Sequence, residues 1–355
     1  MRILIDIGHP AHVHLFKNFA WEMQKKKHSI LFSTREKEIS TYLLKKYGFD
    51  FNSFGKPFKG IVGKIFGMIL FDIKLFLVSL KFKPDIYLSH GSIYAAHVSW
   101  ILGKPHIAFE DTGNMEQIRL YLPFTKVVLT SYSFSKDFGY KQIRYIGFHD
   151  SAYLHPKRFN PDPEIFHFLG IQPNQKYAIV RFVSWQATHD LNQKGFLEEQ
   201  KLELILELKK HAFVFITSEI PETGELKKYE IQIPPEKIHD ALYYAALSIG
   251  EGATIASECA SLGTPAIYVS SITAMKLKEQ TKLGLVYCYK NFLEAKKKAI
   301  EIVKNNSIRS EIEEKRKALP ESQIDLTAFL VWFIENYPKS FQIMKKDPDF
   351  QMQFK

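Results

Sequence analysis

Only two of the 355 residues are cysteine, Cys259 and Cys288, and each falls inside an apolar segment. That excludes a disulfide framework and a thiolate metal site, and makes a reducing cytoplasm the expected compartment. No stretch reaches the roughly 18 uninterrupted apolar residues of a membrane-spanning helix. The opening, MRILIDIGHP, lacks the charged start and apolar block of a secretory signal and runs directly into a strand pattern. Zinc-finger spacing, an RNP-like motif and a basic recognition helix are missing, so nucleic acid is set aside as a partner. The one Asp-x-Asp, Asp347 to Asp349, has Pro348 at its centre in a polar tail, a poor platform for Mg²⁺. No metal and no cofactor are expected. Nor does any segment repeat closely.

What the chain does carry is apolar and basic: 46% hydrophobic residues, and a net charge of +10 from 48 Lys and Arg against 38 Asp and Glu. Two cores suit this length better than one. The charge favours an anionic partner, phosphate or an acidic membrane, against the plain alternative of a lysine-rich surface.

RILIDIG reads as a buried strand ending at Gly8. The following segment puts Val13, Phe16, Phe19, Ala20 and Met23 at helical spacing, and HSILFST is a second strand. This is a βαβ unit, and its right-handed crossover makes the strands parallel. An aromatic, lysine-rich helical region runs from Gly55 to Lys83, then a strand ends at His90 and Gly91. A helix from Ser92 and the strands PHIAFE, KVVLTSY and QIRYIGF complete the first half. Between residues 150 and 170 the chain turns rich in Pro, Asn and Asp, and the pattern restarts with YAIVRFV, HAFVFITS, LSIGEG and PAIYVSS alternating with helices. The expected class is α/β, two Rossmann-like parallel-sheet domains facing a cleft, with ligands at the C-terminal strand ends.

The segment GEGATIASECASLGTPAIYVSS fits such an end. Its strand closes at Gly250, Gly252 lets a ligand approach the backbone, and Ala253 and Thr254 open a helix whose N–H groups and dipole favour an anion. Glu258, about one turn on, could accept hydrogen bonds from ribose hydroxyls. The competing reading is a plain strand-turn-helix with a solvated Glu258.

The longer run IPPEKIHDALYYAALSIGEGATIASECASLGTPAIYVSS is similar to the donor-binding segment of the glycosyltransferase-B superfamily, and of MurG-type N-acetylglucosaminyl transferases in particular. Ala253, Thr254, Glu258, Gly263 and Pro265 match its motif. In the first half, HGSIYAAHVSWILGKPHIAFE is similar to a segment closed by a glutamate, on which Glu110 falls, and GHPAHVHLF parallels a Gly-Gly-His-Val element at His12 and Val13. The usual glycine-dense first loop is reduced to Gly8 and Pro10, and RFVSWQATHD replaces a Gly-Ser loop. With these departures the chain is identified as a member of the domain of unknown function 354 family, which resembles both MurG-type transferases and UDP-N-acetylglucosamine 2-epimerases.

The resemblance implies an acceptor-side domain over residues 1–155, a nucleotide-sugar-binding domain over 156–324, and a C-terminal helix in 325–355 that crosses back to the first. It implies a metal-independent glycosyltransferase that moves a sugar from a nucleotide donor, a UDP-sugar first, to a glycan or lipid-linked acceptor in cell-surface polysaccharide synthesis. Two alternatives stay open. One is a UDP-sugar 2-epimerase, although NMEQIRLYLPF offers only Glu116 and Arg119 where epimerases carry more charged groups. The other is a non-catalytic protein that binds a sugar nucleotide or glycan.

Transfer needs a base for the acceptor proton and cationic or N–H groups for the departing diphosphate. His9, His12 and His14 cluster after the first strand; His12 is the candidate base or phosphate contact, against the reading that these rings pack and cap the helix. His9, His14, His90 and Gly91 are assigned to the acceptor side. Arg181 ends a strand, with Ser184 and His189 in the loop beyond, and is expected on the diphosphate unless it makes a surface ion pair. Glu110 is the catalytic acid/base candidate on the resemblance; Asp111, its neighbour, points the other way along a strand. The region from Gly55 to Lys83 either lies on the inner face of a membrane, near a lipid-linked acceptor, or covers the core.

Overall fold

The computed structural model describes the chain except residues 36–38, 57, 59, 184–195, 219–220, 272–276 and 318–323. It divides into two compact units, Met1–Arg158 with Gln323–Lys355, and Phe159–Ser322.

The first unit holds a seven-stranded sheet: β1 (Arg2–Ile7), β2 (Ser29–Thr34), β3 (Phe51–Ser53), β4 (Ile86–His90), β5 (His106–Glu110), β6 (Val127–Ser131) and β7 (Gln142–Tyr145), in the order β3-β2-β1-β4-β5-β6-β7. Every pairing is parallel. Helices cover both faces of such a sheet, which is why its strands are near-continuous apolar runs; Ile3, Leu4, Ile5 and Ile7 are inaccessible to solvent. The strand order reverses between β1 and β4, the place where doubly wound sheets of this kind bind ligands, at the C-terminal ends of the strands.

The second unit repeats the plan with β8 (Tyr177–Phe182), β9 (Phe213–Ser218), β10 (Leu247–Gly250), β11 (Ala266–Val269) and β12 (Val286–Tyr289), ordered β12-β11-β10-β8-β9 and again all parallel. Its reversal lies between β8 and β10. The two Rossmann-like sheets are those expected from the sequence, with two strands that periodicity did not reveal. β3 is three residues long with no fully buried side chain, and β12 is an edge strand with Cys288 exposed, so neither leaves a hydrophobic signature.

The helix Pro10–Lys25 starts at Pro10, whose fixed φ suits the first helical position. The helix Leu326–Glu335, capped by the Asp325 side chain on Ala328 N at 3.0 Å, packs within the first unit. Lys26 Nζ meets Glu335 at 2.6 Å, and Arg158 ties Glu22 at 3.0 Å to Asp325 at 2.7 Å. The helix Ile61–Phe82 lays Phe71 and Leu75 on a core cluster with Leu4, Tyr87, Ala95 and Val98. Among the described residues no helix is long and apolar enough to cross a membrane.

Candidate active site

At the β1/β4 reversal three imidazoles and a carboxylate gather. The rings of His12 and His90 stack with centroids 4.4 Å apart, and His149, just after β7, stands edge-on to His90 at 5.1 Å. His90 Nε2 lies 3.0 Å from Asp111 Oδ1, so the carboxylate accepts the ring N–H. His12 Nδ1 accepts the Gly8 N–H at 3.2 Å, which places the hydrogen of the neutral ring on Nε2. Burial holds His12 well below the ordinary histidine range; His90 and His9 push the same way and Asp111 opposes them. His12 is therefore a neutral donor through Nε2. His90, Asp111 and His149 each bring a ligand-type atom within 4.8 Å of the others, a set able to take a divalent cation.

Beneath this cluster sits a buried charge. Asp6, 1% exposed and next to last in β1, accepts from Ser33 Oγ at 2.7 Å, Ser92 Oγ at 2.5 Å and Arg35 Nη1 at 2.7 Å. The Arg35 guanidinium stacks over Tyr94 at 4.7 Å and reaches the first loop so closely that a Cβ on Gly8 would meet Nη2 at 3.0 Å. A cation is thus fixed against the first βα turn, where Gly8 allows the approach. One clue was present in the sequence: an acid inside an otherwise apolar parallel strand needs a partner.

The two acids after β5 divide. Glu110, 3% exposed, accepts at Oε1 from Thr112 N at 2.7 Å, Thr112 Oγ1 at 2.7 Å and Gly113 N at 2.9 Å, and at Oε2 from Tyr121 Oη at 2.6 Å. Burial and this carboxylate raise the Tyr121 pKa and keep the phenol protonated. Four donors on one carboxylate fix the turn that carries Asp111 to His90. Gly91, at φ +57°, lies in the left-handed region that favours glycine, and a Cβ there would press on the Tyr121 ring at 3.2 Å.

In the second unit the reversal between β8 and β10 brings Gly250 against Arg181. A Cβ on Gly250 would fall 2.2 Å from the Arg181 carbonyl oxygen, so the close passage of β8 requires glycine there, whereas one on Gly252 would press on the Arg181 side chain, 3.1 Å from its Cγ. The helix Ala253–Leu262 follows, and its N-cap, Gly252, has no side chain to accept from the first-turn N–H groups. Glu251, 5% exposed, accepts Val183 N at 3.1 Å and Phe196 N at 2.6 Å, tying the residue after β8 to the start of the next described segment. Glu258 is 3% exposed, not solvated, with Oε1 3.2 Å from His239 Nε2.

The sequence candidates thus fall into separate groups. His12 and His90 meet in the first unit, while His9 caps its helix by accepting Ala11 N at 3.2 Å. His14, buried, has its ring 5.6 Å from that of Tyr153 and Nδ1 3.5 Å from Tyr47 Oη, within the packing of its helix. Arg181, Gly250, Gly252, Ala253 and Thr254 assemble at the β8/β10 reversal, with Glu258 further along the same helix. Ser184 and His189 lie outside the described residues. His149, Arg35, Asp6, Glu251 and His239 went unnoticed in sequence because each gains its meaning from a partner distant in the chain.

Two doubly wound parallel sheets, each with a strand-order reversal, are the fold of glycosyltransferase-B transferases and UDP-N-acetylglucosamine 2-epimerases. The S. aureus MnaA–UDP structure superposes with a TM-score of 0.68 at 12% identity, covering 96% of this chain and 97% of that one. The UDP-GlcNAc 2-epimerase from Neisseria meningitidis, bound to UDP-GlcNAc, gives 0.59 at 13% identity over 89% and 99%. The Streptomyces sp. SF2575 glycosyltransferase SsfS6, complexed with thymidine diphosphate, gives 0.61 at 14% identity over 93% and 99%. Comparison with curated protein sequences found no significant match. The chain belongs to the DUF354 family, described as a protein of unknown function, whose sequence profile matches residues 1–337.

Proposed function

We propose that the protein is a metal-independent glycosyltransferase that uses a nucleotide sugar, a UDP-sugar first, to extend a glycan or lipid-linked acceptor in cell-surface polysaccharide synthesis. The observation that carries this is the start of the helix Ala253–Leu262: its N-cap, Gly252, brings no side chain over the positive end of the helix, and Arg181 lies against the same two glycines. There the diphosphate is bound by N–H groups and one guanidinium, which do the work a metal does elsewhere. Glu258 accepts from the ribose, and His239 keeps its carboxylate in place.

In the first unit the paired His90 and Asp111 take the acceptor proton, His12 donates through Nε2 to an acceptor oxygen or phosphate, and Glu110 positions the turn between them. As the acceptor oxygen bonds to the anomeric carbon, that carbon's bond to the diphosphate breaks and the electron pair leaves with the nucleotide. His90 then carries the proton, stabilised by Asp111.

Thermal-shift titration against UDP-, GDP-, CMP- and dTDP-sugars tests the reading; stabilisation by UDP-sugars is expected, and the Glu258→Gln variant should lose most of it. No shift with any of the four would favour a binding protein of another kind. The likeness to an epimerase bound to UDP-GlcNAc supports a second reading, C2 epimerisation. Incubation of the stabilising sugar nucleotide without acceptor decides between them: a C2 epimer means epimerase, and unchanged donor means transferase.

A further inference from the structure

The helix Ile61–Phe82 has a face that the fold leaves uncovered. Phe71, Leu75 and Ser79, spaced by four, are buried against the first sheet's core. Opposite them, Ile65, Phe66, Ile69, Ile73, Leu77 and Leu80 are between 49% and 60% exposed. At 100° per residue these six fall in one stripe on the far side of the helix axis. Single exposed apolar side chains are ordinary, but a continuous row of large ones marks a contact surface. The neighbouring helix Ile93–Ile101, tied to this one by His97 Nδ1 and Asp72 Oδ2 at 2.9 Å, adds exposed Trp100 and Ile101.

Charge identifies the occupant. From Gly55 to Lys83 the sequence carries six lysines (56, 59, 64, 74, 81 and 83) and one acid, Asp72, already bonded to His97. Lys56, Lys64, Lys81 and Lys83 are exposed. Lysines at both ends of an apolar stripe repel a second copy of the same face but match acidic headgroups, whose phosphates neutralise them while the acyl boundary takes the apolar row. The inner face remains packed in the core, so the helix can lie in the interface but not cross it.

We infer that this face docks the protein on an anionic lipid bilayer, with the helix Ile61–Phe82 lying in the headgroup layer. The inference rests on exposure and charge, not on the donor chemistry proposed above, and is tested without nucleotide. Full-length protein is sedimented with vesicles of phosphatidylcholine alone or mixed with phosphatidylglycerol. Binding to the mixed vesicles only, weakened by added salt, is expected; Ile69→Glu/Leu77→Glu should lower the partition coefficient at least about tenfold with an unchanged melting temperature. Should that variant misfold, Lys81→Gln/Lys83→Gln carries the same test through the charge alone. Wild-type protein that stays in the supernatant with anionic vesicles overturns the inference. So does a vesicle-indifferent dimer in analytical ultracentrifugation that Ile69→Glu/Leu77→Glu dissociates.

Discussion

His90 Nε2 and Asp111 Oδ1 stand 3.0 Å apart at the ends of two neighbouring parallel strands, although the residues are separated by 21 positions in the chain. A carboxylate at that distance fixes the ring tautomer and favours the imidazolium that forms when the other nitrogen takes a proton. For the proposed transfer, Asp111→Asn should lower kcat by about 10² or more and leave the KM for the sugar nucleotide within about twofold. Steady-state kinetics over donor concentration checks this. An equal rise in KM would move Asp111 from proton transfer to donor binding.

Metal dependence is decided at the same cluster. Because the diphosphate is assigned to N–H groups and Arg181, turnover should be unaffected by EDTA and by subsequent Mg²⁺ or Mn²⁺. The group His90, Asp111 and His149 makes the measurement informative, since its ligand-type atoms lie within 4.8 Å of one another. Loss of activity in EDTA, restored by one divalent ion and not in a His149→Ala variant, would replace the metal-independent mechanism.

Gly250 and Gly252 predict opposite phenotypes. At Gly250 an added Cβ would sit 2.2 Å from a backbone carbonyl of a buried strand, which cannot move without opening the β8–β10 pairing. Gly250→Ala should cost about 1–3 kcal/mol or more, read from urea midpoints. At Gly252 the nearest atom is Arg181 Cγ at 3.1 Å, on a flexible side chain. Gly252→Ala should therefore fold nearly as stably but displace Arg181 and weaken UDP-sugar binding, read by calorimetric titration.

Much of this arrangement was legible from residue order. Apolar strands such as Ile3 to Ile7 and Ala178 to Val180 announce parallel sheets because both faces are covered, and Gly250 and Gly252 mark where a strand ends against its neighbour. What order does not carry is partnership. Glu110 and Asp111 are adjacent, and alternation alone permits either to join the histidines; the choice is made by Thr112, Gly113 and Tyr121, whose hydrogen bonds occupy Glu110. Likewise His9, His12 and His14 read as one cluster, yet their surroundings separate them. His9 accepts Ala11 N, His12 accepts Gly8 N and stacks on His90, and His14 packs beside Tyr153.

Acid should expose a second histidine. His106 is inaccessible to solvent in β5, with Nδ1 2.8 Å from Thr125 Oγ1 and Nε2 2.8 Å from Ser89 Oγ. Thr125 Oγ1 donates to the Tyr121 carbonyl, so it accepts from Nδ1–H; Ser89 Oγ donates to Nε2 while accepting Ser92 N. The ring is satisfied only when neutral, and burial lowers its pKa to about 3. The unfolded chain binds this proton from about pH 6.5 downward and the folded chain does not, so stability falls with decreasing pH between about 6.5 and 3, by about 1.4 kcal/mol per unit. A His106→Gln variant lacks this titration, whereas His12 titrates in both proteins and cancels. The stability advantage of wild type over His106→Gln should therefore shrink from pH 7 to pH 5 in urea unfolding; a difference that stays constant would mean that His106 is protonated in the folded protein.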